Sequence, residues 1–101
     1  MLNKNLKKLD SSGRLYIPNE LRTQVEININ EKIAICTHEE SGGIMIKPLN
    51  KIENCKVIAI GKMNNKGKIV IPKILLPEGR NEAFFDVYLF NGDLVIEQIY
   101  V

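Results

Sequence analysis

Arginine and lysine beside glycine turns are the residues of this 101-residue chain whose types and spacing could do chemistry. Arg14 follows Gly13 in Asp10-Ser11-Ser12-Gly13-Arg14, and Lys68 follows Gly67 in Asn64-Asn65-Lys66-Gly67-Lys68. Such cations can hydrogen-bond phosphate oxygens, and an arginine can also grip a base edge with two parallel bonds. Other reactive groups are sparse. His38 has Glu39 and Glu40 for neighbours, but a hairpin tip offers no closed ligand geometry, so no metal is expected. Cys36 and Cys55 are single thiols with no close-spaced partner, expected to be inert, although Cys55 could cross-link chains on oxidation. Neither a nucleophile–base constellation nor a phosphate-cradling glycine loop is present, so no enzyme and no cofactor are expected.

Both basic turns belong to one repeated phrase. Gly13, Arg14, Ile17, Pro18 and Leu21 recur as Gly67, Lys68, Ile71, Pro72 and Leu75, all 54 residues further on. Beyond the motif, Ile33 and Ile35 align with Val87 and Leu89 at the same offset. Ile44-Met45-Ile46 aligns with Leu94-Val95-Ile96 at 50, a slip assigned to a shorter second hairpin tip. The chain therefore divides into a first repeat over 1–49, a joint over 50–55 and a second repeat over 56–101.

Net charge is +2, but the signs are sorted. Residues 1–22 carry five lysines and arginines against two carboxylates, and residues 56–80 carry six against one. Residues 23–55 and 81–101 sum to −2 and −4. A basic front and an acidic back to each repeat is the polarity that a polyanion footprint requires.

Each repeat reads as strand, turn, strand, short helix and hairpin. In the first, Leu2–Leu9 is a strand and Arg14–Ile17 a second, with Leu15 and Ile17 inward and Arg14 and Tyr16 outward. Pro18 opens a helix over Asn19–Val25 that buries Leu21 and Val25 and exposes Arg22. Lys32–Thr37 and Gly43–Leu49 form a hairpin. The second repeat gives strands over Lys56–Met63, an apolar run, and Lys68–Ile71. A one-turn helix after Pro72 follows, then a hairpin around Asn91-Gly92. A repeat shorter than about 50 residues rarely builds an independent core, so association of the halves or of two chains is expected. No apolar run reaches membrane-spanning length and no leader is apparent, which with free thiols points to a cytoplasmic protein.

The phrase Leu-Asp-x-x-Gly-Arg-Leu-x-Ile-Pro-x-Glu-Leu-Arg, Leu9 to Arg22, resembles the AbrB/SpoVT family of bacterial transition-state regulators and the related MazE antitoxins. The resemblance covers Leu6 to about Pro48 well and Lys62 to Ile99 more loosely. It implies a mainly β, swapped-hairpin barrel in which two β-β-α-β-β units interleave, as a homodimer or as a pseudo-dimer within one chain. The difference between the two helices leans mildly toward like pairing with like between chains.

It also implies a nucleoid-associated, DNA-binding transcriptional regulator. Basic residues of the first strand, the Gly-Arg turn and the helix would contact duplex DNA: here Lys7, Lys8, Arg14 and Arg22. Adjacent strand residues face opposite sides, so only one of Lys7 and Lys8 can share that face cleanly. Tyr16 could stack on a nucleotide, although a strand tyrosine more often packs on its sheet. The ordinary alternative for Arg22 is an ion pair with Glu26.

The sequence departs from the family pattern at Thr23, where a second arginine is frequent, and at Val25-Glu26-Ile27, where Leu-Gly-Ile is frequent. In the second repeat Lys68 replaces the arginine, while Ile74 and Leu76 occupy the positions of Glu20 and Arg22. An apolar Ile74-Leu75-Leu76 suits burial at an interface, making this repeat the association half, with Lys66, Lys68 and Lys73 as phosphate contacts. The alternatives are an antitoxin-like protein-binding module and a structural oligomerisation domain. The antitoxins usually carry a C-terminal tail, whereas this chain ends at Val101 within an expected strand, which favours the regulator.

Overall fold

The computed structural model describes residues 6–53, 55–75 and 84–99. Eight strands and one helix run in the order β1 (Leu6–Lys8), β2 (Arg14–Tyr16), α1 (Asn19–Gln24), β3 (Lys32–His38), β4 (Gly43–Pro48), β5 (Val57–Lys62), β6 (Lys68–Val70), β7 (Phe84–Phe90) and β8 (Asp93–Ile99). Single 3-10 turns cover Leu49–Lys51 and Lys73–Leu75. The expected strand residues before Leu6, along with Leu76, Ala83, Tyr100 and Val101, lie outside the described residues.

The fold is mainly β, and its two repeats are threaded through each other. A six-stranded antiparallel sheet has the order β1-β7-β8-β4-β3-β5, and β2 pairs with β6 in a separate two-stranded ribbon. The opening strand of each repeat thus pairs with the hairpin of the other: Lys7 lies opposite Phe85, and Ala59 opposite Ile35. At the centre β4 meets β8, with Met45 opposite Val95. Within this chain it is the unlike repeats that pair. The physical reason is visible in the ribbon, where Leu15 and Ile69 lie opposite each other and both turn inward, 0% and 1% exposed.

One apolar core fills the space between sheet and ribbon. Leu15, Ile17, Ile69 and Ile71 from the ribbon side meet Ile33, Ile35, Ile44, Ile46, Phe85, Val87, Leu94 and Ile96 from the sheet, with Leu21 of α1 and Val25 just after it closing one side. Neither repeat keeps a separate core of this size. A smaller cluster of Ala34, Cys36 and Met45 sits on the opposite sheet face, covered by Ile52 and Cys55 of the joint. Burial on both faces explains why β3 and β4 read as near-continuous apolar runs. The apolar run in β5 has a different fate: it forms a sheet edge, with Ile60 54% exposed.

Helix α1 ends in a Schellman arrangement. Ile27 N–H donates to Arg22 O and Glu26 N–H to Thr23 O, and Glu26 adopts φ 59°. The second repeat shortens this helix to the 3-10 turn after Pro72, and Ile74 there is 90% exposed on the single chain.

Strand registers also revise the repeat alignment. Ile35 pairs with Ile46, and Val87 pairs with Ile96. Because Ile46 corresponds to Ile96, Ile35 corresponds to Val87, an offset of 52 rather than 54. The slip of four is therefore split, with two residues lost before β7 and two within the tip.

Candidate nucleic-acid interface

Two turns of identical construction stand at the two ends of the ribbon. In the first, Asp10 Oδ1 accepts the N–H groups of Ser12 and Arg14, both at 2.9 Å, and Gly13 N–H donates to Asp10 O at 3.0 Å. In the second, Asn64 Oδ1 accepts the N–H groups of Lys66 and Lys68, both at 2.9 Å, and Gly67 N–H donates to Asn64 O at 3.1 Å. A short side-chain acceptor at the first position organises each loop, and the glycine takes the left-handed φ that closes it, +75° at Gly13 and +77° at Gly67. Each turn is then tied to the opposite strand. Ile71 N–H donates to Gly13 O at 3.1 Å, and Ile17 N–H to Gly67 O at 2.9 Å.

Strand alternation sorts the ribbon's side chains. Leu15 and Ile69 enter the core, leaving Arg14, Tyr16, Lys68 and Val70 on the outer face. Lys68 Nζ reaches across to Asp10 Oδ2 at 3.2 Å. Chiefly the backbone N–H of Arg14, then Lys68 and Ser12, hold the Asp10 carboxyl below its ordinary value, against partial desolvation. Lys7 joins this group from the sheet edge, its ammonium 5.5 Å from the centre of the Tyr16 ring.

Arg22 is placed by the helix that begins at Pro18. Its Nε donates to Ile17 O at 2.9 Å, and its guanidinium lies over the second repeat's turn, where a Cβ on Gly67 would come within 3.0 Å of it. The ion pair with Glu26 does not form, because Glu26 is taken by Lys51. Lys66 is exposed on the same turn. Lys73 is exposed two residues beyond Ile71, at the Gly13 end.

Six of the seven expected contact residues are thus gathered on or beside the ribbon: Lys7, Arg14, Arg22, Lys66, Lys68 and Lys73. Lys8 is not, since it faces the other side of the sheet, 5.8 Å from the Phe84 ring centre. That opposite face also carries Asp86 and Glu97, paired across β7 and β8. Burial, then Glu97, raises the Asp86 carboxyl, while Tyr88 donates to Glu97 at 2.9 Å. Sequence reasoning missed Asp10 as the counter-ion of Lys68; its only signal was an acidic residue where the other repeat has Asn64.

His38 is engaged structurally, with Nδ1 2.7 Å from Ser41 Oγ and its ring edge-on to Phe90. Among the described residues, no group of three or more histidine, cysteine or carboxylate side chains could hold a metal ion. Nor, among them, is any helix long and apolar enough to cross a membrane. No family model, curated protein or solved structure matches the chain.

Proposed function

We propose that the protein is a DNA-binding transcriptional regulator of the AbrB type, acting on duplex DNA through the outer face of the β2–β6 ribbon. The observation that carries this reading is the pair of bond-for-bond equivalent basic turns. They are separated by four residue steps of ribbon, roughly 13 Å. That span is close to the width of the B-DNA major groove, about 12 Å, which admits a two-stranded ribbon. Arg14 and Arg22 are the base readers in this arrangement; Lys7, Lys66, Lys68 and Lys73 are phosphate contacts that fix position. Lys68 also offsets the Asp10 carboxylate, which would otherwise repel the backbone. The acidic pair on the far sheet face completes a polarity that orients the approach.

On the same reading, sheet and ribbon close into a swapped-hairpin barrel in which a single chain supplies both interleaved units. The shared core and the cross-repeat pairing support this, and the DNA-bound unit is then a one-chain pseudo-dimer placed on the bacterial nucleoid.

The test is binding to mixed-sequence duplex across a salt series, for the wild type and for Arg14→Ala combined with Arg22→Ala. The expected logarithmic slope is about −0.9 per phosphate neutralised, with affinity lost in the double variant. Binding that survives both substitutions moves the site to the second repeat's lysines. No binding at low salt overturns the reading and directs attention to a protein partner.

A further inference from the structure

Cys36 and Cys55 are 19 positions apart in sequence but meet on the sheet face away from the ribbon. Cys36 lies on β3 opposite Val57, at an irregularity between Ile35 and Cys36. One residue on, Thr37 N–H donates to Lys56 O at 3.1 Å, so the joint runs alongside β3 as it enters β5. This lays Cys55 against the cluster of Ala34, Cys36 and Met45. The two thiols differ in access: Cys36 is fully buried, whereas Cys55 is half-buried and donates to Glu53 O at 3.0 Å.

We propose that Cys36 and Cys55 form a thiol-modification site for low-molecular-weight disulfides of the glutathione type, closing into an intrachain disulfide that staples the joint to β3. The accessible Cys55 thiolate attacks one sulfur of the small disulfide, giving a mixed disulfide and expelling one small thiolate. Cys36, as thiolate, then attacks the Cys55 sulfur, forming the Cys36–Cys55 bond and expelling the second small thiolate. The protein loses two thiol protons and two electrons, and the small disulfide is reduced to two thiols.

Burial, then the neighbouring Cys55, pushes the Cys36 thiol up to about 11, with Lys47 opposing and Asp93 reinforcing. Cys36 is therefore a poor first nucleophile, which fixes the order of the two steps. The second repeat has no such pair, since Tyr88 stands where Cys36 would recur.

The experiment treats the reduced full chain with oxidised glutathione and follows intact mass, peptide maps and the melting transition. The expected course is a transient adduct of one glutathione, then a monomer two hydrogens lighter in which the 36 and 55 peptides are joined. Its Tm should rise by an amount on the order of 10 °C, as for a loop of this length. Cys36→Ser should accumulate the adduct, and Cys55→Ser should form none. The wild-type map keeps the result decisive if a cysteine variant fails to fold. A stable adduct on the wild type, a disulfide between two chains, no reaction, or a disulfide that lowers Tm would each overturn the proposal.

Discussion

The two glycine turns share every backbone hydrogen bond, yet they present different surfaces. Around Gly13 nothing beyond its chain neighbours lies within 4 Å of where a Cβ would point, and Lys68, reaching over from the other repeat, is committed to Asp10. Around Gly67 the same space is filled by the guanidinium of Arg22, which arrives from the other repeat. The two turns share a backbone frame and differ in the side chains set upon it. A homodimer would present two equal ends; this chain presents one open end and one covered by arginine.

The largest effect that could break the equivalence lies beneath the turns. Leu15→Ala and Ile69→Ala remove facing, fully buried side chains, and each should cost about 3 kcal/mol in urea unfolding. Values differing by more than about 1.5 kcal/mol would show that the two halves of the ribbon are not energetically equivalent.

Next come the two cations. On a selected DNA sequence, Arg14→Ala should lower affinity by about 1–3 kcal/mol and relax discrimination at one base pair. Lys68→Ala should weaken binding to all sequences alike and flatten the salt slope by about 1. Quantitative binding to a panel of single-base variants separates these outcomes, and equal loss of discrimination would refute the division of labour.

Gly13→Ala and Gly67→Ala each force a left-handed φ on a residue with a Cβ and should each cost about 1 kcal/mol. Only the second also displaces Arg22. In an Arg22→Ala background the remaining excess should vanish, which a double-mutant cycle on stability and DNA affinity would show.

The smallest effect is Asp10→Asn, which makes the first turn chemically like the second while keeping the Oδ1 acceptor. Asp10 is held below its ordinary carboxylate value of 3.8, so its contribution to stability is present above that pH and lost as pH falls through the lower folded value. The Tm advantage of the wild type over Asp10→Asn should therefore shrink in acid. At neutral pH the variant should bind DNA slightly more tightly, having lost a carboxylate at the proposed phosphate face.

Much of this architecture was legible in the chain because its signals are local. The glycine turns, the inward Leu15 and outward Arg14, and the helix opened by Pro18 each follow from a few neighbouring residues. The register of β7 was not legible. Sheet side chains repeat every two residues, so offsets of 52 and 54 put the same apolar faces inward, and only the strand partners distinguish them. Arg22 escaped for a similar reason: its position off the buried stripe of α1 was predictable, but its contact is made with a turn 45 positions away. The thiol pair was hidden because Cys36 and Cys55 meet only after the joint has doubled back along β3. Glu26, standing where the family resemblance has glycine, still takes the positive φ, so there the helix-ending geometry outweighed residue preference.

Threading the repeats through each other also sets when the molecule can fold. Leu6 pairs with Asp86, 80 positions later, and the central β4 must wait for β8. During synthesis the first repeat therefore emerges with β1 and β2 unpaired, and with β4 paired to β3 on one edge and open on the other. Contacts of such long sequence separation place the chain among slow folders, on the order of milliseconds to seconds, with the rate set by loop closure rather than by local structure. A chain halted before β8 would leave that edge of β4 open, the kind of unpaired strand edge through which chains associate.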